Sequence, residues 1–452
     1  MMMEEAVAAG NWEAALCSVE RNAGAPGPDG MKARELREHL AKHGEGIKGK
    51  LLKGSFQPSA ARRKEIPKPN GGTRPLSIPN VLDRFIQQLL LQVMAPLFEP
   101  IFSESSHGFR PGRSAHGAIE AAQELAREGR EWVVDMDITK FFDRVNHDIL
   151  MTQVSCVVRD KRVLQLIGRF LRAGIVLPDG CCVRSTEGTP QGGPLSPLLA
   201  NIYLDKLDRE LERRGYKHVR YADDCNIYVS SRQAAERAME NISQWISECL
   251  RLQVNTEKSG IGRVWERKFL GFILTMALLI GVSPQALARF KDQVRSKWDA
   301  RQSLDSTQLR DQWNQYLRGW WGYYRRAEDR KSILRQGGWI RRHIRKWLPA
   351  LLVEIEAGCL AALGSGSAGI TPADAALPSS GWELPAGSYN WPPAVAARGA
   401  WRPPRPYNTS SATVCSESMG SSHHLTSTSR DRPRVVSNRR MRKTARPVVW
   451  EP

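Results

Sequence analysis

The sequence predicts a mixed α/β or α+β domain followed by an all-α bundle, and three stretches of different composition support this prediction. Residues 61–275 alternate strand-like and helix-like apolar patterns, as a mixed domain does. Residues 283–350 have helical spacing and are crowded with Arg, Lys and Trp. Residues 358–452 are rich in Gly, Pro, Ser and Ala and lack periodicity, so we expect a poorly structured basic tail. Residues 1–60 are then a polar N-terminal extension.

Composition favours a polyanionic partner and argues against a membrane protein. The 452-residue chain has a formal net charge of +19, which attracts nucleic acid. Its eight cysteines include no C-x-x-C pair, which argues against a structural zinc site and a disulfide scaffold. The longest apolar run, residues 269–282, is shorter than the ~18–20 residues that a membrane span needs. We therefore expect a reduced cytosolic protein without a signal peptide.

Three elements of the mixed domain are clear enough to place chemistry on. Residues 81–97 have apolar side chains four apart, the stripe of an amphipathic helix. Residues 132–138 predict a short strand, whose period of two puts Asp135 and Asp137 on the same face. Ser196 and Pro197 predict the N-cap and the first residue of a further helix.

Residues 219–229 predict two strands joined by a tight turn at Asp223 and Asp224. A solvated turn is the commoner explanation of an Asp pair, because Asp tolerates the left-handed backbone region. Here the flanking strands are apolar, so two carboxylates would repel each other unless a cation lay between them. A third carboxylate, Asp137, ends another strand. Three such groups could hold two Mg²⁺ ions about 4 Å apart, an arrangement that suits in-line phosphoryl transfer.

The helical region from residue 283 combines aromatic stripes with cationic faces. Ser283 and Pro284 predict a cap followed by a helix start. At helical spacing, aromatic residues such as Trp298 and Trp313 are expected to be core. The surplus Arg and Lys have no role in such a core, and could follow a phosphate backbone.

Seven short motifs, taken in order, resemble those of the reverse transcriptases encoded by bacterial group II introns. Residues 221–224 resemble the Y-x-D-D box, and residues 137–143 resemble the first catalytic motif. The other five lie at residues 66–72, 74–79, 108–114, 188–197 and 269–272. Residues 317–324 also resemble the maturase motif of these proteins. The resemblance extends over about residues 10–350.

This resemblance implies a right-hand polymerase, with fingers and palm followed by an all-α thumb/maturase bundle. The implied activity is RNA-directed DNA synthesis, in which two Mg²⁺ ions assist the addition of dNTPs to a primer 3′ end. The implied partners are intron RNA as template, a DNA or RNA primer or nicked target DNA, and dNTPs, in a ribonucleoprotein of the bacterial cytosol or nucleoid. A maturase role in splicing and mobility is also implied, and the oligomeric state stays open.

The resemblance further implies roles for single acidic residues. Asp137, Asp223 and Asp224 would be the catalytic metal ligands, helped by the Ile138 carbonyl. Asp135 lies one step back on the same strand face, so we expect a structural neighbour rather than a ligand. Asp143 would belong to a turn before a helix, and we assign it a structural role.

Other residues would hold the substrates. Phe142 would exclude a 2′-hydroxyl, while Phe141 would belong to the core. The residues expected to bind the incoming nucleotide are Lys68, Arg74, Phe142, Gln191 and Lys258. For Lys68, a solvated loop lysine explains the residue equally well. The expected primer grip consists of Phe269, Leu270 and Gly271. The expected RNA-binding residues are Arg318, Arg341, Arg342, Arg345 and Lys346.

Two alternative functions stay open at the level of sequence. One is an RNA-binding splicing cofactor whose polymerase is idle, against which the intact acidic triad argues. The other is a reverse transcriptase domesticated for phage defence or diversity generation, against which the maturase-like residues 317–324 argue. Paired cysteines of an H-N-H endonuclease do not occur, which argues against DNA-strand cutting. The tail fits no family pattern, so we expect an altered reading frame or a truncated maturase end.

Overall fold

The computed structural model describes residues 1–67, 73–298 and 306–345. Helices and strands alternate up to residue 282, and only helices follow in the described part of the chain. In chain order the elements are α1 (Met2–Ala6), α2 (Ala9–Asn22), α3 (Leu36–Leu52), β1 (Ala61–Pro67), β2 (Thr73–Ile78), α4 (Val81–Phe98), α5 (Ala115–Arg127), β3 (Trp132–Met136), α6 (Phe141–Arg144), α7 (His147–Val157), α8 (Lys161–Arg172), β4 (Ile175–Val176), β5 (Cys182–Val183), α9 (Ser196–Arg213), β6 (Lys217–Tyr221), β7 (Asp224–Val229), α10 (Arg232–Cys249), β8 (Gly260–Arg263), β9 (Lys268–Phe269), β10 (Phe272–Leu274), β11 (Ile280–Val282), α11 (Pro284–Lys297), α12 (Ser306–Tyr324) and α13 (Lys331–Arg345).

The central sheet has the strand order β6-β7-β3-β8, and its paired strands are antiparallel. Helix α10 packs on β3 and β7, and α5 packs on β6. Val134 belongs to the core on one side of the sheet and Val133 to the core on the other. Because both faces are covered, the middle strands are apolar along most of their length, and polar side chains concentrate at the strand ends.

A second sheet, with the order β2-β1-β4-β5, lies at the N-terminal side of the mixed domain. Strands β1 and β2 form an antiparallel hairpin in which Arg62 lies opposite Ile78. The predicted amphipathic helix at 81–97 is confirmed as α4, which directly follows this hairpin. Its apolar stripe, including Phe85 and Leu89, is buried in the main core.

Two details of the predicted elements are wrong. Ser196 is the first helical residue of α9 rather than its cap, and its hydroxyl donates to the Pro190 carbonyl. The hairpin turn consists of Ala222 and Asp223, so Asp224 already begins β7. In both places the sequence locates the helix start or the hairpin correctly. The hydrogen bonds of the structure put the boundary one residue away.

The C-terminal helices form their own small core. Trp298 and Trp313 are almost fully buried and meet edge-to-face with ring centroids 5.8 Å apart, so the prediction of core tryptophans is confirmed. Ser283 caps α11 by accepting from the Ala286 N–H, and Pro284 is the first helical residue, as predicted. The predicted tail at 358–452 lies outside the described residues.

The end of α12 ties the helical region to the mixed domain. Tyr324 packs with Phe272, at a centroid distance of 5.1 Å, in a core that also includes α5. The ring nitrogen Nε2 of His116 lies 2.5 Å from the Tyr323 carbonyl oxygen. No helix in the described ranges is both long enough and apolar enough to cross a bilayer. The division of the chain into domains at 60, 275 and 283 stays a prediction.

Candidate active site

Asp137 directly follows β3, and its backbone is held by the segment before β8. Its N–H donates to Ser259 Oγ at 2.9 Å, and its carbonyl accepts from the Asn255 N–H at 2.8 Å. The next residue, Ile138, is bridged to Val254. These bonds fix the backbone on both sides of the carboxylate, so its side chain leaves the strand end in a defined direction.

Asp223 and Asp224 belong to the tight β6–β7 hairpin, in which Tyr221 pairs with Asp224. Met136 lies opposite Cys225 in the β3–β7 ladder, so the next antiparallel step places Asp137 opposite Asp224. The sheet register therefore brings together carboxylates that are far apart in sequence, as the three-carboxylate hypothesis requires.

The electrostatics of the strand ends show that these carboxylates interact. Protein atoms that displace water, followed by the charges of Asp223, Asp135 and Asp137, raise the pKa of Asp224 to about 7. The Asp224 side chain nevertheless keeps accessible surface, so a ligand can reach it. Burial is also the main cause that raises the pKa of Asp135 to about 6, with a smaller contribution from Asp137. Such crowding of negative charge favours a cation at the site.

Lys258 provides a positive charge beside Asp137. Its Nζ lies 3.5 Å from Asp137 Oδ2, and its side chain is largely exposed. The lysine that the sequence assigns to nucleotide phosphates thus lies beside a proposed metal ligand. An exposed ion pair of this length contributes little stability, so the lysine can leave the carboxylate at low cost.

The donor chemistry of the site fits divalent cations. Among the described residues, no three His, Cys, Asp or Glu side chains are already grouped closely enough to hold an ion by themselves. Mg²⁺ typically takes only one or two protein carboxylates and completes its shell with water and substrate phosphates. Two acidic strand ends at facing positions match that requirement.

Phe141 and Phe142 differ in burial, and the core position expected for Phe141 is confirmed. Phe141 is buried in the main core, 6.2 Å from Tyr203 between ring centroids, while Phe142 is only half-buried. The Phe142 carbonyl accepts from the Thr189 N–H at 2.7 Å. Gly188 has φ +86, and a Cβ there would meet the Phe142 and Asp143 carbonyls at 2.9 Å, so only glycine allows this close approach.

The loop that contains Gln191 joins the segment around Phe142 to the second sheet. The Gln191 carbonyl accepts from the Ser77 N–H of β2 at 2.8 Å. Arg74 lies on the same strand, opposite Ile66. Lys68 lies outside the described residues. Backbone hydrogen bonds thus link the segment around Phe142 to the Gln191 loop, and link that loop to the strand that contains Arg74.

The predicted primer grip is the turn between β9 and β10. Leu270 and Gly271 both have positive φ, at 52° and 79°. The Tyr323 hydroxyl donates to the Leu270 carbonyl at 2.8 Å, and the Gly271 carbonyl accepts from the Ser283 N–H at 3.0 Å. Phe269 is buried, as the core-packing explanation also requires. Residues of the helical region therefore donate hydrogen bonds to both carbonyls of this turn.

The predicted RNA-binding residues lie on the C-terminal helices. Arg318 on α12 and Arg342 on α13 are exposed. Arg341 and Arg345 also belong to α13, and Lys346 lies outside the described residues.

Sequence reasoning missed the polar residues behind the acidic turn. Arg220, Asp208, Asn201 and Ser106 are all buried there and joined by hydrogen bonds. The available signal was an arginine shortly before the acidic turn, in a strand whose middle residues are buried. Its meaning depended on partners from α9 and from the segment before α5.

Two family models match the chain over most of its described length. Residues 66–274 match the family described as reverse transcriptase (RNA-dependent DNA polymerase). Residues 287–350 match the group II intron, maturase-specific domain. The members of the first family generally use divalent metal ions and bind nucleic acid.

Curated relatives agree with these matches. Protein YkfC of Escherichia coli (strain K12) is 32% identical over 282 residues, which cover 54% of this chain and 74% of that protein. The group II intron-encoded protein LtrA of Lactococcus lactis subsp. cremoris is 41% identical over 162 residues. That alignment covers 35% of this chain and about a quarter, 26%, of LtrA. Over the aligned regions the chain is therefore similar to intron-encoded proteins.

A solved structure with a similar chain is a partial Cas6-RT-Cas1–Cas2 complex. The likeness covers 55% of this chain and 43% of that chain, at 26% identity and a TM-score of 0.36. So low a score does not define the fold, which follows instead from the two family matches.

Proposed function

The chain belongs to the reverse transcriptases and maturases encoded by group II introns, and we propose that Asp137, Asp223 and Asp224 form its polymerase active site. The reaction is the template-directed addition of dNTPs to a primer 3′ end on RNA. The observation that supports this most is the register in which Asp137 lies opposite Asp224, where burial and then the charges of neighbouring carboxylates raise the Asp224 pKa.

The three carboxylates and the Ile138 carbonyl would hold two Mg²⁺ ions. When bound, such ions favour the deprotonated primer hydroxyl and neutralise charge on the leaving pyrophosphate. The protein itself contributes mainly position, because in-line phosphoryl transfer needs little covalent chemistry from side chains. The backbone bonds around Asp137 and the tight β6–β7 turn supply that position.

Other residues would bind and select the nucleotide. Lys258, 3.5 Å from Asp137 in this structure, would exchange that carboxylate for a nucleotide phosphate. The half-buried Phe142 ring would lie under the sugar and leave no room for a 2′-hydroxyl. Lys68, Arg74 and Gln191 would border the same nucleotide, since the Gln191 loop and β2 are hydrogen-bonded to each other.

The partners that we propose are the host intron RNA, target DNA or another primer, and dNTPs. Arg318 and Arg342 are exposed on the helices that match the maturase domain, and would contact the RNA backbone together with Arg341, Arg345 and Lys346. We place this ribonucleoprotein in the bacterial cytosol. Splicing assistance by the helical region would accompany DNA synthesis.

Primer extension on poly(rA) with oligo(dT) and Mg²⁺ tests the polymerase. We expect cDNA from the wild type and at least about a 100-fold lower rate from Asp223→Ala, because a ligand of the charge-stabilising metal ions is lost. Asp148→Ala, which removes an exposed carboxylate from α7, is the matched control and should keep the wild-type rate.

The alternative of an idle polymerase makes a different prediction for the same preparation. A wild-type protein that makes no cDNA, yet promotes splicing of its intron RNA, would be an RNA-binding cofactor. Loss of cDNA in Asp223→Ala with splicing retained would instead show two separable activities in one chain.

A further inference from the structure

A fully buried arginine lies directly behind the acidic turn. Arg220, on β6, has no accessible surface, and its guanidinium uses all five of its N–H donors. The acceptors are Asp208 Oδ1 (2.8 Å from Nε), Asp208 Oδ2 (2.5 Å from Nη2), Ser106 Oγ (2.8 Å from Nη2), Asn201 Oδ1 (3.1 Å from Nη1) and the Ala222 carbonyl (2.9 Å from Nη1).

The pair of Arg220 and Asp208 stays charged inside the protein. Burial alone would raise the pKa of Asp208, but the Arg220 guanidinium and a contact with His218 Nε2 hold this pKa below its ordinary value. Two full charges that are withdrawn from water are costly unless every donor is satisfied. Apolar side chains of similar size often stabilise a protein at least as well as such a pair. The function of this pair is therefore sought in the other groups that Arg220 binds.

One of the Arg220 donors binds the first residue of the hairpin turn, which directly precedes Asp223. Ala222 has φ +57, a left-handed conformation that a residue with a Cβ adopts reluctantly. Such strain persists only where the surroundings impose it, and it is common at functional sites. The bond from Arg220 Nη1 to the Ala222 carbonyl holds this residue immediately before Asp223.

The opposite side of the turn is held by the same group of residues. A Cβ on Gly108 would collide with the Ala222 backbone nitrogen, so the Gly108 backbone packs against the turn. Asn201 Nδ2 donates to the Gly108 carbonyl at 2.8 Å, while Asn201 Oδ1 accepts from Arg220. One asparagine thus links the two supports of Ala222.

The strand itself does not depend on the arginine side chain. The backbone of Arg220 donates to the Ser105 carbonyl and accepts from the His107 N–H, each at 2.8 Å. These bonds, and the pairing of β6 with β7, are made by backbone atoms alone, so a change of the guanidinium leaves their donors and acceptors in place. Loss of the side chain should therefore act on the turn more than on the strand.

We propose that Arg220 is a positioning residue which, with Asp208 and Asn201, holds Ala222 in the conformation that directs Asp223 and Asp224 toward divalent cations. The inference rests on the proposed polymerase site, and it assigns to the buried network a role in metal affinity rather than in substrate contact.

Three variants test the role. Arg220→Lys keeps a positive charge beside Asp208 but loses the planar fork that reaches the Ala222 carbonyl. The double variant Arg220→Met/Asp208→Leu removes the buried charges together, an exchange that often preserves stability. Arg169→Lys is the matched control, because Arg169 also donates to backbone carbonyls, those of Gly54 and Phe56, far from the acidic turn.

Metal binding is measured without substrate, by Tb³⁺ luminescence and its competition by Mg²⁺, and then in primer extension. We expect Arg220→Lys and the double variant to bind Tb³⁺ at least about 10-fold more weakly and to need correspondingly more Mg²⁺ for half-maximal rate. The primer–template KM should stay unchanged and kcat should fall. Arg169→Lys should lose thermal stability without any change in metal affinity.

Wild-type Tb³⁺ affinity in a folded Arg220→Lys protein would overturn the inference and leave the network a purely structural one. If the double variant does not fold, Arg220→Lys alone decides. The proposed polymerase activity would be refuted by a wild-type protein that binds Tb³⁺ through Asp223 but makes no cDNA. The substrate-free binding series would still decide whether Arg220 positions the turn.

Discussion

At the scale of the residue, neighbouring side chains of one type have different environments. Phe141 is packed against the core aromatic Tyr203, whereas Phe142 next to it is only partly buried. The two residues share a short helix, α6, and only its orientation against the core separates them. One ring therefore stabilises the fold, and the other keeps part of its surface accessible.

This difference predicts opposite phenotypes for two alanine substitutions. Phe142→Ala should raise the incorporation of rNTPs relative to dNTPs by about 10- to 100-fold, since a steric contact of this kind discriminates by that order. Phe141→Ala should instead destabilise the protein by roughly 3–5 kcal/mol through a buried cavity. Competition between dTTP and UTP in primer extension, and thermal unfolding, measure the two effects. Unchanged nucleotide selection in Phe142→Ala would refute its assignment.

Asp83, on α4, is another buried acid, and the proposed reaction does not use it. It is almost fully buried, and burial raises its pKa to about 7, despite a hydrogen bond from the Ser59 N–H and with a further contribution from Asp29. Between about pH 4 and 7 the folded chain therefore holds a proton that the unfolded chain has released. Stability falls as pH rises through this window and on through 7.

Asp83→Asn removes this dependence, because the amide oxygen can still accept from Ser59 and needs no proton. The variant should be more stable than the wild type at pH 8, by up to about 4 kcal/mol, with the difference disappearing near pH 4. Unfolding by urea between pH 4 and 8 provides the measurement. Parallel curves for the two proteins would show that Asp83 is not protonated in the fold.

At the scale of the element, the β9–β10 turn is held by the helical region. Two consecutive residues with positive φ, Leu270 and Gly271, form a turn whose first carbonyl accepts from Tyr323 on α12. The motif that is expected to hold the primer end thus depends on a helix that follows it in the chain. Movements of α12 would be transmitted to that turn.

Tyr323→Phe isolates this hydrogen bond, because it removes only the hydroxyl. We expect a loss of about 1 kcal/mol in stability and a higher KM for primer–template, with the Mg²⁺ requirement unchanged. Steady-state primer extension across primer and Mg²⁺ concentrations separates the two quantities. A shift in the Mg²⁺ requirement instead would assign the tyrosine to the acidic turn rather than the primer grip.

At the scale of the whole molecule, the net charge of +19 favours association with polyanions such as nucleic acid. Exposed arginines such as Arg318 and Arg342 lie on the helices that match the maturase domain. Binding that releases counterions weakens with salt in proportion to the number of phosphates contacted. RNA affinity should therefore fall steeply with ionic strength.

Arg342→Gln should reduce the steepness of that salt dependence by about one unit for intron RNA, because one phosphate contact is lost. Primer extension on a short template should keep its wild-type rate. Arg232→Gln, which removes an exposed arginine from α10, is the control and should leave the slope of RNA binding unaltered. Equal slopes for all three proteins would place the RNA elsewhere on the surface.

The sequence by itself determined the main helices and strands and the types of side chain available for chemistry. Periodicity located α4, the acidic hairpin and the tryptophan core of the helical region, because local side-chain patterns follow directly from helix and strand geometry. The ordered motifs identified the family and the three acidic residues. These features need no knowledge of how distant segments meet.

Only the tertiary structure decided which groups face each other. Asp137 lies opposite Asp224 because β3 pairs with β7 in one register, and a slip of one residue would turn the side chains to the other face. The partners of Arg220 come from α9 and from the segment before α5, so nothing local to β6 revealed that this arginine holds the Ala222 turn. Contacts between segments distant in sequence are set by packing, which single-sequence periodicity does not encode.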